Sequence, residues 1–262
     1  MTSRHGTTTP PLLAIHPHPP LQAEFADLVS DARNSLCQQL GTLLDSLYLY
    51  GSVSRATATP GTSDLDLTLV LRRPLTAHEA QALEHVRTGL QARHPEVTKV
   101  DLDLGSLAQV LDAANLYSWG YWLKHVCRCI HGTDLGQRFP AFRPSPAIAQ
   151  AINGDYAQVL HGYAERIAQA QSLDAMHRLQ KEAARKLVRA THVLRPGSDG
   201  YWPETLEDYA SYGASLCPGK AQEIAFFLEH ARSPWAPGDV FNDKLLRFTD
   251  WLQHTQRLAA PA

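Results

Sequence analysis

Two aspartates interrupt an apolar, strand-like run, and they constrain the fold more than any other feature of the chain. Asp64 and Asp66 flank Leu65, and the run continues through residue 71. On an extended strand, residues i and i+2 point to the same face, and their backbones lie about 7 Å apart. The two carboxylates therefore share one face, while the leucines point into a core. Neighbouring carboxylates repel one another and are costly to bury, so a bound cation is the usual solution.

A second acidic pair lies in another strand-like run. Asp101 and Asp103 alternate with leucines within residues 97–104. Two strands can therefore deliver three or four carboxylates to one place. Hard oxygen ligands with open coordination positions suit Mg²⁺, and two such ions lie about 3.5–4 Å apart in phosphoryl-transfer sites. The sequence thus predicts a site of this kind.

A glycine–serine pair precedes the first acidic pair. Gly51 and Ser52 follow the apolar segment 47–50, which predicts a strand ending in a sharp turn. Glycine lets a phosphate approach the backbone closely, and the next amide and hydroxyl can donate hydrogen bonds to it. Ser63 either contacts a triphosphate or caps its own turn, and the sequence favours neither.

The order of these motifs resembles a known family. A strand, Gly-Ser, a loop, Asp-x-Asp and a later strand aspartate are together similar to the nucleotidyltransferase superfamily related to DNA polymerase β. The closest similarity is to aminoglycoside nucleotidyltransferases and to the small nucleotidyltransferases of toxin–antitoxin pairs. The resemblance covers roughly residues 45–105, and the matching residues are Gly51, Ser52, Asp64, Asp66 and Asp101.

The resemblance implies roles for these residues. Asp64, Asp66 and Asp101 would be the catalytic acids and the ligands of two Mg²⁺ ions, with Asp103 as the alternative third acid. Gly51 and Ser52 would hold the β- and γ-phosphates of the nucleotide. The third acid either contributes to metal binding or takes the proton of the acceptor hydroxyl.

The resemblance also implies a reaction and its partners. The expected reaction transfers a nucleoside monophosphate, AMP from ATP, to a hydroxyl of a small molecule such as an aminoglycoside, and releases pyrophosphate. One alternative is the modification of a protein or tRNA, as in toxin–antitoxin systems. The other is a catalytically silent nucleotide-binding module, against which the intact Asp64, Asp66 and Asp101 argue.

Bulk properties narrow the location and the partners. The net charge of −2 lacks the basic excess expected of a nucleic-acid-binding surface. No run of eighteen apolar residues predicts a membrane span, and no signal-peptide pattern opens the sequence. The four cysteines are scattered, which favours reduced thiols in a cytoplasmic protein.

The order of elements predicts an α+β fold with two domains after a poorly ordered leader at residues 1–20. A nucleotidyltransferase domain with a mixed β-sheet flanked by helices is expected at 21–143, and a C-terminal α-helical bundle at 144–262. Strands are predicted at 47–50, 65–71 and 97–104. Helices are predicted at 21–46, 76–93, 106–112, 116–130, 147–170, 173–194, 203–212, 218–231 and 240–258. Thr76 and Glu79 have the spacing of a capping box.

The helix predicted at 173–194 carries a basic stripe. Lys181 and Arg185 lie four residues apart and therefore share one face of the helix. The stripe is either a solvated helix face or a contact with the nucleotide's phosphates, a position that contributes nucleotide contacts in the enzymes it resembles.

Overall fold

The chain divides into two compact units in a computed structural model that describes residues 10–15 and 18–259. Leu12–Phe142 form one unit, here the sheet unit; residues from Arg143 onward, with residues 10 and 11, form the helical unit. Much of the predicted leader, at 1–9 and 16–17, lies outside the described residues. Nearby, the Leu13 amide donates to the Phe142 carbonyl at 2.7 Å.

The sheet unit contains a mixed four-stranded sheet, which confirms the predicted fold class. The strands are β1 (Leu44–Tyr50), β2 (Leu65–Leu71), β3 (Val100–Ser106) and β4 (Arg128–Gly132). They lie in the order β3-β2-β1-β4. β1 pairs antiparallel with both β2 and β4, whereas β2 and β3 run parallel.

Alternation along the strands gives the sheet two different faces. One face carries the leucines of β2 and packs on helices α1 (Ala23–Leu40) and α3 (Ala77–Arg93). The other face carries Tyr48 and Val70 and packs against Leu123, Cys127 and Leu135. Asp66 lies four residues before Val70 on the same strand. Residues at an even spacing share one face, so Asp66 belongs to this second face. The predicted alternation of β2 is confirmed.

Four short helical segments also belong to the sheet unit. They are α2 (Gly51–Ser54), α4 (Leu107–Leu111) and two consecutive π-helical turns at Leu116–Gly120 and Trp122–Val126. At the start of α3, Thr76 accepts from the Glu79 amide while the Glu79 side chain accepts from the Thr76 amide, so the predicted capping box is confirmed.

Two predicted helices of this unit are wrong at their ends. The helix predicted over 116–130 ends early, and residues 128–132 form the edge strand β4, because pairing with β1 satisfies their backbone. The helix predicted over 21–46 stops at Leu40, where Gly41 adopts a positive φ of 50°. A 3-10 turn at Gly41–Leu43 then leads into β1, which begins three residues earlier than predicted.

The helical unit is a bundle around its own apolar core. Its α-helices are α5 (Pro146–Asn153), α6 (Tyr156–Ala168), α7 (Leu173–Ala190), α8 (Leu206–Leu216), α9 (Ala221–His230) and α10 (Gly238–Ala259). Leu160, Leu187, Phe227, Phe241 and Leu245 are fully buried in this core. The single helix predicted over 147–170 is wrong, because the helix is interrupted at Gly154, between the end of α5 and the start of α6.

Candidate active site

Strand register brings the predicted acids together on the second face of the sheet. Asp66 pairs directly with Asp101 across the parallel strands β2 and β3, and Thr68 pairs with Asp103. Cβ atoms of directly paired residues on neighbouring strands lie about 5 Å apart. The carboxylates of Asp66 and Asp101 are therefore neighbours, and Asp103 lies one pair further along the strand.

Gly51 lies against the carboxylate of Asp66. It has a positive φ of 73°, a conformation that side chains rarely adopt. A Cβ added there would lie 2.9 Å from Cγ of Asp66 and closer still to Oδ2. The turn therefore requires glycine for two reasons, namely its backbone conformation and the space that the carboxylate takes.

The remaining predicted acids each have a hydrogen-bonding or ionic partner. The Thr98 hydroxyl donates to Oδ1 of Asp64. Lys99 Nζ lies 2.9 Å from Oδ2 of Asp101. Both Asp101 and Lys99 are partly exposed, and a surface ion pair of this kind is worth about 0–1 kcal/mol. Asp101 can therefore turn toward a metal cation at low cost.

The acids fit a divalent cation by their chemistry. Among the described residues, no group of three or more His, Cys, Asp or Glu side chains stands ready to hold a metal ion. Asp64 and Asp101 instead contact Thr98 and Lys99. Carboxylate oxygens on two paired strands are nevertheless the ligands that Mg²⁺ prefers.

Burial and neighbouring charges shift the pKa of Asp66. Burial, followed by the negative charges of Asp101, Asp64 and Asp103, raises its pKa to about 7, and Lys99 offsets only part of this effect. A carboxylate that is buried beside other carboxylates is costly to ionise. A bound cation lowers the free-energy cost of that ionisation.

The two predicted serines lie in α2 and in the segment just before β2. Ser52 is half-buried in α2, directly after Gly51, and its carbonyl accepts from the Thr57 amide at 3.0 Å. The Ser63 hydroxyl accepts from the Thr59 amide at 2.9 Å, which is the local capping that the sequence left as one alternative. Its role toward a nucleotide stays a prediction.

Sequence reasoning missed Tyr50 and Lys99 as members of this site. The Tyr50 hydroxyl donates to Oδ2 of Asp103 at 2.7 Å. Burial and the charge of Asp103 raise the pKa of Tyr50 well above its usual range, so the hydroxyl keeps its proton. Alternation could have found Lys99, because it lies two residues before Asp101 on an extended segment. No sequence signal predicts that Tyr50 meets a residue more than fifty positions away.

The predicted basic stripe lies in the helical unit. Lys181 and Arg185 are both half-buried on α7, one turn apart. The same helix packs into the core through Ala184, Leu187 and Val188. A contact of Lys181 or Arg185 with nucleotide stays a prediction.

Comparison with known proteins identifies a family model that covers the region of this site. Residues 29–107, which include Gly51, Asp64, Asp66 and Asp101, match the family model of the nucleotidyltransferase domain. The resemblance to nucleotidyltransferases is confirmed. No curated protein matches the chain.

A solved structure has a similar fold over most of the chain. It is that of spectinomycin adenyltransferase AAD(9) from Enterococcus faecialis, with ATP and spectinomycin. The TM-score is 0.62 at 14% sequence identity, and the similarity covers 88% of this chain and 98% of the other. At that identity the similarity establishes the fold, and it extends beyond the nucleotidyltransferase domain into the helical unit.

Two further observations concern the cysteines and the hydrophobicity of the helices. All four cysteines are free. Within the described part of the chain, none of the helices has the length and apolar character needed to cross a membrane.

Proposed function

We propose that the protein is a Mg²⁺-dependent nucleotidyltransferase. It transfers AMP from ATP to a hydroxyl of a small-molecule acceptor such as an aminoglycoside, and it releases pyrophosphate. The observation that carries the proposal is the direct pairing of Asp66 with Asp101, beside a glycine turn that only glycine can form. The acceptor class is suggested by the similar fold of an enzyme whose structure holds ATP and spectinomycin.

Each residue of the site has a role in this proposal. Asp64, Asp66 and Asp101 would hold two Mg²⁺ ions, and Gly51 and Ser52 would bind the β- and γ-phosphates. Mg²⁺ supplies polarisation of the α-phosphate and offsets the charge of the leaving pyrophosphate. Free thiols agree with action in the cytoplasm.

The chain's own residues orient the reactants. The Gly51 backbone lies close to Asp66, so a phosphate bound at this turn would lie beside the carboxylates. The acceptor oxygen forms a bond to the α-phosphorus, and the bond from that phosphorus to the bridging oxygen of the β-phosphate breaks. The acceptor proton passes to a carboxylate of the same face.

A labelling experiment tests the function. Wild type and Asp66→Asn are incubated with α-labelled ATP, Mg²⁺ and either spectinomycin, streptomycin, tRNA or a cell lysate. We expect label on an aminoglycoside with wild type and at least a hundredfold less with Asp66→Asn, because the paired carboxylates are then incomplete. Asp27→Asn, an exposed acid on α1, is the control and should keep full activity.

The acceptors separate the alternatives. Label on protein or tRNA, and none on an aminoglycoside, would replace the small-molecule acceptor by a macromolecule. ATP binding with no transfer to any acceptor would indicate the silent nucleotide-binding module. Full transfer by Asp66→Asn would contradict the proposed site itself.

A further inference from the structure

Strand β4 forms one edge of the sheet. It is the last strand in the sheet order, so among the described strands only β1 pairs with it. Leu47 and Tyr48 are adjacent in β1, but their partners in β4 lie two residues apart, with Ile130 between them. Such an extra residue of a β-bulge is left out of the ladder. One side of β4 therefore presents backbone N–H and C=O groups to any segment that lies beside it.

A groove of about 350 Å³ follows this edge, between β4 and α1. On the side of α1 it is lined by Ala26, Ser30 and Arg33, which are all exposed and share one face of the helix. On the side of β4 it is lined by Arg128 and Ile130. Ile130 also packs against the core beneath α1, so the groove lies where this face of the sheet meets its edge.

The shape of the groove suits an extended chain. Its floor is apolar at Leu21 and at the buried Val29. Ala26 and Ser30, one helical turn apart, are small side chains that let another backbone come close. Neighbouring strands need a spacing of only about 5 Å, so a fifth strand beside β4 would lie in this groove.

The charge of the groove is positive. None of the described residues that line it is acidic, whereas two of them are arginines. Arg128 donates from Nη1 to the Pro19 carbonyl at 2.8 Å, and this acceptor is neutral. A guanidinium has five N–H donors, so most of those of Arg128 remain for a carboxylate. The exposed Arg33 can bind a second carboxylate.

The two arginines lie toward different ends of the groove. Arg128 is bonded to the segment that leads into α1, which begins at Ala23. Arg33 lies ten residues further along the helix, a rise of about 15 Å. On an extended strand, residues four positions apart share a face and lie about 13 Å apart. Two carboxylates at that spacing match the separation of the two guanidinium groups.

We propose that this groove binds an extended acidic segment of a partner protein. Two carboxylates of the segment, four residues apart, pair with Arg33 and Arg128, and the residue midway between them packs on Ile130. Charge disfavours a second copy of this chain, because pairing of two β4 strands would bring four arginines together. The inference is independent of the proposed reaction, since the groove opens on the face that packs on α1 and the catalytic acids lie on the other face.

Peptide binding to the full chain tests the inference without nucleotide. The probe is the capped, fluorescein-labelled peptide Thr-Glu-Thr-Val-Thr-Glu-Thr, followed by fluorescence anisotropy. One control peptide, Thr-Thr-Glu-Val-Glu-Thr-Thr, has the same composition with the glutamates two residues apart. The other has glutamine in place of both glutamates. The protein variants are Arg33→Gln, Arg128→Gln and Ala26→Trp, with the exposed Arg138→Gln outside the groove as the matched control.

The expected results depend on the spacing and on the groove. An exposed ion pair contributes up to about a fivefold factor in affinity, so each arginine variant should bind the probe about three- to fivefold more weakly. Both control peptides should bind wild type at least about threefold more weakly than the probe does. Ala26→Trp fills the groove without a change of charge and should abolish binding, whereas Arg138→Gln should bind as wild type does. Pyrophosphate release should be unchanged in Arg33→Gln and Ala26→Trp.

Several outcomes would overturn the inference. They are no change in anisotropy up to about 1 mM probe, equal affinity for the two glutamate spacings, and equal weakening in Arg138→Gln and Arg33→Gln. Arg33→Gln changes only an exposed side chain, so its result decides the matter even if Arg128→Gln disturbs the leader near Pro19. A dimer in sedimentation velocity that Ala26→Trp dissociates would replace the acidic partner by a second copy.

Discussion

Gly51→Ala separates the cost of backbone strain from the cost of displacing Asp66. A left-handed conformation costs an alanine about 1–2 kcal/mol relative to glycine. The new Cβ would also lie 2.9 Å from Cγ of Asp66, whereas ordinary contact begins at 3.4 Å. The carboxyl carbon must therefore retreat by about 0.5 Å and its oxygen by more, and a displacement near 1 Å can cost about a hundredfold in rate.

Gly61→Ala is the control for this prediction. Gly61 has nearly the same φ, 70°, and a Cβ added there would meet no atom within 4 Å. Both variants should lose about 1–2 kcal/mol of unfolding free energy, measured by urea denaturation. Only Gly51→Ala should also lose turnover, by between ten- and a hundredfold, and bind ATP with Mg²⁺ at least tenfold more weakly in titration calorimetry. Equal ATP affinity and equal turnover in the two variants would refute the role of the Gly51–Asp66 contact.

Two further predictions concern the helical unit. Lys181→Ala should weaken ATP binding by one to two decades, since a charge-assisted phosphate contact is worth about 1.5–3 kcal/mol, while the exposed Arg178→Ala should not. Wild-type affinity in Lys181→Ala would place the basic stripe on a solvated face. His192 is fully buried with neither ring nitrogen hydrogen-bonded, and burial lowers its pKa to about 3. Because the unfolded state binds the proton below its pKa of about 6.5, stability should fall by about 2 kcal/mol between pH 7 and pH 5. His192→Phe should remove this contribution in urea denaturation, and an unchanged pH dependence would contradict it.

Local patterns predicted the parts of the fold that local physics determines. Alternation in β2 and the capping box of Thr76 and Glu79 depend on neighbours within a few residues, and both are confirmed. Residues 128–130 of strand β4 are predicted as the end of a helix, because they continue the apolar run that begins at residue 116. The extended state of β4 depends on β1, some eighty residues earlier, so no local pattern carries it.

The residues of the candidate site fall into two groups in the same way. One group is recognisable from a local motif, and the other is brought together only by the tertiary structure. Gly51, Asp64, Asp66 and Asp101 form an ordered motif, so sequence could single them out. The partners that hold the acids depend on register and packing. The hydrogen bond from Tyr50 to Asp103 requires both strand pairings of β2 and the ring of Trp122. Such contacts follow from tertiary structure and are not encoded in the spacing of a motif.

The position of β4 has a consequence for synthesis of the chain. The region that matches the nucleotidyltransferase domain ends at residue 107, yet β1 inside that region completes its pairing only with residues 128–132. While the chain grows, β1 therefore has one unpaired edge until this late segment leaves the ribosome. An unpaired edge can pair with another chain, so the nascent protein is exposed to misassembly during this interval. A fragment cut at the family boundary would keep that hazard permanently.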